Sequence, residues 1–241
     1  MLAIIKLRKE LKSKSNPRKA KILRGFFETG KGEYGEGDVF LGVVSAETKR
    51  IALKFKDLNF KELQELLRSK IHEERVAALR ILIHQFQVVM LCYSKAPKSE
   101  IFNFYLKNTK NVNNWGLVDM SAPKIVGEYL LSTSPRESRQ VLYKFAKSKN
   151  LWERRIAIIS TFAFIRQNRL EDTLKISKML LNDKQDLIHK AVGWMLREVG
   201  KRSQITLEKF LKANYKNMPR TMLRYAIERF PEKKRKGYLN G

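Results

Sequence analysis

The chain is 241 residues long, 43% of its residues are hydrophobic, and 50 lysines and arginines stand against 24 aspartates and glutamates. This apolar content is enough to bury a core, which excludes a wholly disordered protein. The net charge of +26 calls for an anionic partner, and nucleic acid is the commonest one. Charge alone leaves two alternatives, a chain from a basic proteome and a membrane-surface binder.

The single cysteine, Cys92, lies in the apolar run 88–93, where we expect a small buried side chain. One cysteine builds neither an internal disulfide nor a thiolate metal site, which fits a cytoplasmic protein. The apolar start of the chain is too short for a signal sequence. No run approaches the roughly 18 to 20 apolar residues of a transmembrane helix. We therefore expect a cytoplasmic monomer without a membrane partner.

Helical periodicity and helix-stop signals divide the first half of the chain into short helices. Residues 2–14 predict an amphipathic helix that stops at Ser15-Asn16-Pro17. Asn16 is predicted to cap the next helix and Pro17 to be its first residue. Helices are predicted at 2–14, 17–28, 46–55, 60–67, 73–93 and 100–106.

The second half continues this alternation of helices and short polar connectors. Helices are predicted at 115–131, 135–147, 151–166, 170–181, 186–199, 207–215 and 219–230. The basic tail at 231–241 is expected to be frayed. No stretch has the pattern of a convincing strand, so the predicted class is all-α, with residues 1–241 as a single α-helical domain.

A loop at 29–38 contains four glycines. A glycine-rich loop can cradle phosphate, but the Gly-Lys-Ser/Thr ending is missing and no strand precedes it. Its carboxylates, Glu33, Glu36 and Asp38, would repel phosphate. We therefore predict a mobile surface loop that could act as a lid.

A faint repeat runs through the helices. A basic residue followed two positions later by a small or β-branched apolar one recurs at steps of 80, 35 and 34 residues, and the step of 80 equals two steps of 40. The four basic residues are Arg75, Arg155, Lys190 and Arg224. Periods of about 35 to 45 residues indicate stacked helix pairs of the HEAT-like or armadillo-like kind. Such stacking would align these residues as a stripe against DNA phosphates. The alternative is that each is a solvated surface charge.

The usual catalytic and metal-binding patterns are absent from the sequence. His72, His84 and His189 lie on different predicted helices without the spacing of metal ligands. No nucleophile elbow, Walker motif or Rossmann motif occurs. We therefore expect neither a metal nor a cofactor.

Aromatic, acidic and basic residues remain as candidates for chemistry. Trp115 and Asp119 are four residues apart and would share one helix face. In the repeat register Asp119 lies four residues after Trp115, and Trp194 lies four residues after Lys190. Asp119 and Trp194 would therefore occupy equivalent positions on their helices, and Arg155 would lie on the repeat unit between them. The alternative for Asp119 is an ion pair, for which Arg155 could be the partner. Tryptophans at helical spacing are usually core residues, and we assign Trp152 to packing.

Three segments in order carry a family resemblance: Trp115-Gly-Leu-Val-Asp119, Leu151-Trp-Glu-Arg-Arg155-Ile-Ala and Ala191-Val-Gly-Trp194-Met-Leu-Arg. Together they resemble the AlkD-type DNA alkylation repair enzymes, HEAT-like-repeat glycosylases that remove alkylated purines. The resemblance spans about residues 16–230. It implies a right-handed solenoid of paired antiparallel helices whose concave basic face grips duplex DNA.

The resemblance also implies roles for individual residues. Asp119 would be the catalytic carboxylate, while Trp115 and Trp194 would flank the sugar of the lesion nucleotide. Arg155 resembles the family's phosphate-contacting arginine. The family's further aromatic residue, often tyrosine, falls at or beside Phe26, where the hydroxyl is missing.

The implied activity is monofunctional hydrolysis of the N-glycosidic bond of N3- or N7-alkylated purines, such as 3-methyladenine or 7-methylguanine, in base excision repair. Asp119 would stabilise an oxocarbenium-like sugar and orient or deprotonate the attacking water. The alternative from another class is a non-catalytic helical-repeat scaffold that binds nucleic acid or protein.

Overall fold

The computed structural model describes residues 2–91, 96–133 and 139–240. In these ranges the regular structure is helical, with one isolated bridge between Val39 and Ile71 and no strand, which confirms the predicted all-α class. Cys92 lies outside the described residues. None of the described helices is both long enough and apolar enough to cross a membrane.

Sixteen α-helices account for most of the described residues, and we number them in chain order. They are α1 Leu2–Ser13, α2 Pro17–Phe26, α3 Ser45–Lys54, α4 Phe60–Leu67, α5 His72–Met90, α6 Ala96–Lys107, α7 Trp115–Ala122, α8 Glu128–Ser132, α9 Gln140–Ala146, α10 Leu151–Ser160, α11 Phe162–Arg166, α12 Glu171–Met179, α13 Asp186–Arg202, α14 Gln204–Asn214, α15 Arg220–Ala226 and α16 Glu232–Asn240.

Contacts divide the chain into two compact units, Met1–Ser121 and Ala122–Gly241. In the first unit α5 is the central helix, packed against α1, α3, α4 and α6. Side-chain caps start two of the helices. The Asn16 side chain accepts a hydrogen bond from the Lys19 amide at 3.0 Å, which confirms the predicted cap of α2. Asn59 and Glu62 form a reciprocal capping box at the start of α4.

In the second unit neighbouring helices pack in serial order. Helix α10 packs against α9 and α13, and α13 packs in turn against α14 and α15. Close approach at α13 depends on Gly193, where an added Cβ would lie 2.5 Å from the Met222 carbonyl oxygen. This serial packing agrees with the helical repeat that the sequence period predicts.

Two predicted helices are interrupted. The stretch 115–131 contains a π-helical turn at Pro123–Gly127 between α7 and α8, because Pro123 has no amide hydrogen to continue the α-helical ladder. The stretch 151–166 divides at Thr161 into α10 and α11.

The prediction of a frayed C-terminal tail is wrong, because residues 232–240 form helix α16. Tyr238 of this helix meets the Tyr215 ring edge-on at 5.5 Å and the Phe230 ring at 5.9 Å. Lys234 of the same helix pairs with Glu208. Aromatic packing and an ion pair thus attach the basic segment to the second unit.

Candidate functional site

Trp115, the first residue of α7, belongs to an aromatic cluster in the first unit. Its ring stacks on Phe27 with centroids 4.7 Å apart, and Phe26 meets it edge-on at 5.3 Å. Phe27 also stacks on Phe40 at 5.2 Å. Phe27 and Phe40 are buried, whereas Phe26 is 61% exposed and Trp115 half-buried. The cluster therefore has a buried base, and it presents Phe26 to solvent beside the indole of Trp115.

Helix α2, which ends at Phe26, is rich in basic residues. Arg18, Lys19, Lys21 and Arg24 of α2 are all exposed. None of these four side chains forms an ion pair with a described residue. An exposed ring among unneutralised cations can contact a polyanion without first breaking an ion pair.

Asp119 lies one turn after Trp115 on the same helix, as its spacing predicts. It is half-buried. Burial raises the pKa of Tyr105, a hydrogen bond with Ser121 lowers it, and the negative charge of Asp119 adds to the rise.

The glycine-rich loop contacts Trp115 directly. The indole Nε1 donates a hydrogen bond to the hydroxyl of Tyr34 at 2.9 Å. The loop reaches this position through a tight turn at Gly35, whose amide donates to the Glu28 carbonyl and where a Cβ would lie 2.3 Å from the Phe27 carbonyl oxygen. Sequence reasoning missed Tyr34, since its partner is 81 residues away along the chain.

A buried ion pair anchors the end of this loop. Asp38 lies 2.6 Å from Arg75, and His72 approaches the same carboxylate at 3.5 Å. Burial alone would raise the pKa of Asp38, but the contacts and charges of His72 and Arg75 hold that pKa below its ordinary value.

The structure does not present Arg75 to solvent, as the predicted contact with DNA phosphate would require. Arg75 is only 5% exposed, and its guanidinium is turned towards Asp38 and the carbonyl of Ser69. Asp38, read as a phosphate-repelling loop residue, is instead the buried partner that holds this arginine in place.

The second unit contains the other predicted site residues, of which Arg155 is buried where an accessible side chain was expected. It is 5% exposed, and its Nη1 donates to the carbonyl of Leu187. An arginine buried in this way supports α13 and is not presented to solvent, as the predicted phosphate contact would require. Trp152 is buried, which confirms its assignment to packing.

Trp194 and the remaining two cations are accessible. Trp194 is half-buried, and its Nε1 donates to Glu198 at 3.2 Å. Lys190 pairs with Asp186 at 2.7 Å on the surface. Burial alone would raise the pKa of Asp186, but hydrogen bonds from Lys190 and Thr221 bring it below its ordinary value. Arg224 is exposed. Of the four residues of the predicted basic stripe, Lys190 and Arg224 are thus the two whose side chains are accessible.

Groups of three or more His, Cys, Asp or Glu side chains that could hold a metal do not occur in the described part of the chain.

Comparison with known proteins places these observations in a family. A family profile described as "DNA alkylation repair enzyme" matches residues 7–230. A solved structure, the "Predicted DNA alkylation repair enzyme from Enterococcus faecalis", superposes with a TM-score of 0.68 at 15% sequence identity. It covers 91% of this chain and 98% of its own. At that identity the likeness shows the fold alone. A search of curated proteins found no match.

Proposed function

Because the chain belongs to the family of DNA alkylation repair enzymes, we propose that it hydrolyses the N-glycosidic bond of N3- or N7-alkylated purines in duplex DNA. The observation that carries the proposal is the half-buried Asp119 one helical turn from Trp115, beside an exposed Phe26 and the basic helix α2. A carboxylate next to an aromatic wall, on a chain of net charge +26, suits a reaction that develops positive charge on a sugar bound to a polyanion.

The lesion itself supplies part of the driving force. Alkylation at N3 or N7 leaves a cationic purine, which departs without protonation by an acid. As the bond from C1′ to the purine nitrogen breaks, its electron pair leaves with the base, and the sugar becomes oxocarbenium-like. A water oxygen forms the new bond to C1′. The proton released by that water passes to Asp119 and then to solvent.

Asp119 contributes in two ways in this scheme. Its negative charge stabilises the positive sugar. Removing one such electrostatic group from an active site typically lowers the reaction rate by about 100- to 1,000-fold. Its carboxylate oxygens also orient and deprotonate water. The product is an abasic site, and strand cleavage through a lysine Schiff base is not part of the proposal.

Trp115 and Phe26 would recognise the cationic nucleotide. An aromatic face near a cation contributes about 0.5 to 2 kcal/mol. The hydrogen bond to Tyr34 fixes the plane of the Trp115 ring, whereas Phe26 is held only by ring contacts. Trp194 keeps its proposed role as a nucleotide-contacting residue, and Lys190 and Arg224 keep theirs as phosphate contacts. Action as a cytoplasmic monomer, with residues 1–241 as one functional domain, belongs to the same proposal.

A non-catalytic scaffold is the rival from another class. The test is incubation of the purified chain with duplex DNA that contains one 7-methylguanine, followed by measurement of the freed base and of alkali-labile abasic sites. Stoichiometric DNA binding without release of the base would favour the scaffold. Release of 7-methylguanine with an intact strand before alkali treatment would support a monofunctional glycosylase.

A further inference from the structure

Arg80 of α5 lies in the wall of a cavity of about 290 Å³ in the first unit. Apolar side chains such as Phe27, Phe40 and Met120 form much of the remaining wall. Met120 belongs to α7 and directly follows Asp119. The cavity therefore borders the helix that carries the proposed catalytic carboxylate.

Arg80 has no carboxylate partner among the described residues, in contrast to three other arginines that are buried or half-buried. Arg75, Arg139 and Arg154 each pair with an aspartate at 2.5 to 2.6 Å. The Nη2 of Arg80 donates to the hydroxyl of Ser45 at 2.6 Å, while its Nε is buried and has no hydrogen-bond partner in the part of the chain that the structure describes. Burial lowers the pKa of Arg80, as expected of a guanidinium that has lost water without gaining an anion.

Two acids on the helices that carry Arg80 and Ser45 already have other partners. Glu73 lines the same cavity, but its two oxygens accept hydrogen bonds from the amides of Leu41, Gly42 and Val43 at 2.7 to 3.2 Å. Glu47 of α3 pairs with Arg50 at 2.8 Å. Neither carboxylate neutralises Arg80, and the donors around Glu73 offset much of its charge.

Ser45 adds a second donor at the mouth of the cavity. It is exposed and is the first residue of α3. Val44, at the cap position, offers no side-chain acceptor to the first-turn amides. A guanidinium, a hydroxyl and amides at the start of a helix are donors that suit a phosphate oxyanion.

We propose that Arg80 and Ser45 form a binding site for a phosphate oxyanion. A phosphodiester of the DNA backbone and free phosphate share this chemistry. The identification of DNA as the source rests on the proposed function, but the existence of the site does not.

The first arm of the test measures binding of undamaged duplex DNA as a function of NaCl concentration. Arg80→Gln should lower the affinity about tenfold, the usual effect of losing one charge-assisted hydrogen bond. It should also reduce the log–log salt slope by about one. The matched control is Arg50→Gln, which removes the same charge from the exposed pair with Glu47. Equal losses in the two variants would mean that only overall charge matters and would overturn DNA as the source.

The second arm titrates inorganic phosphate while the Ser45 amide is followed by NMR. A saturable shift in the wild type that Arg80→Gln abolishes would support the site, whichever source fills it in the cell. Ser45→Ala, at an exposed position that should not disturb folding, should weaken the response less than Arg80→Gln does. Absence of any phosphate response, together with an unchanged salt slope in Arg80→Gln, would overturn the proposal. Neither arm depends on base release, so a failure of the glycosylase proposal would appear separately.

Discussion

The indole nitrogen of Trp115 donates a hydrogen bond of 2.9 Å to the hydroxyl of Tyr34, which joins the glycine-rich loop to the helix that carries Asp119. The loop is therefore part of the aromatic cluster. Its tyrosine provides a hydroxyl next to Trp115, whereas Phe26 and Phe27, whose rings also contact that indole, have none.

Tyr34→Phe should remove this hydrogen bond and keep the ring. A net hydrogen bond of about 0.5 to 1.5 kcal/mol predicts a two- to tenfold loss of kcat/KM for base release, through a less well-oriented Trp115. Trp115 emission should change as well, measured in a background in which Trp152 and Trp194 are phenylalanine. Unchanged emission together with unchanged kinetics would show that Tyr34 does not position the indole.

Phe26→Ala should weaken binding of alkylated DNA while leaving stability nearly unchanged, because the side chain is 61% exposed. Loss of one base- or sugar-stacking ring predicts about 1 to 3 kcal/mol of binding free energy. The control is Ile22→Ala, one turn earlier on α2 and 69% exposed. Comparable losses for the two variants would assign the effect to general apolar contact and not to the ring of Phe26.

Acid should destabilise the first unit through Asp38. Its pKa in the folded chain is held below the ordinary value, so its contribution to stability is complete above the unfolded pKa of about 3.9 and is lost as the pH falls through the folded pKa. Asp38→Asn leaves Arg75 buried without a charge partner and should cost about 3 kcal/mol at neutral pH. Urea unfolding at pH 7 and below pH 4 checks both effects, since the variant should lose less stability than the wild type on acidification.

Two glycines inside helices should respond oppositely to alanine. Gly193→Ala would place a Cβ 2.5 Å from the carbonyl oxygen of Met222, which predicts a loss of about 1 to 3 kcal/mol. Gly25 of α2 has no neighbouring atom within 4 Å of an added Cβ, so Gly25→Ala should stabilise the chain by about 0.5 to 1 kcal/mol. Thermal melting of both variants tests the packing at α13, and a stabilising Gly193→Ala would contradict it.

Local chemistry made much of the fold predictable. The cap at Asn16 and the start of α2 at Pro17 depend on residues adjacent in sequence, and apolar periodicity located most of the helices. The tail was misjudged because charge dominates its composition, whereas its order depends on Tyr238 packing against residues earlier in the chain.

The candidate site was predictable only where it is local. Trp115 and Asp119 lie four residues apart on one helix, so their spacing sufficed. Arg75 and Arg155 are assigned to the basic stripe from the sequence period. That period does not specify which face of a helix is covered by a neighbouring part of the chain. Their partners, Asp38 and the carbonyl of Leu187, lie 37 and 32 residues away and turn both guanidiniums inward.

The most direct test of a catalytic Asp119 is single-turnover release of 7-methylguanine from duplex DNA by the wild type and by Asp119→Asn. The amide keeps the shape of the side chain and removes its charge, so DNA affinity should stay within about threefold. The rate of base release should fall by about 100-fold or more. Base release at the wild-type rate by Asp119→Asn would contradict a catalytic role for this carboxylate.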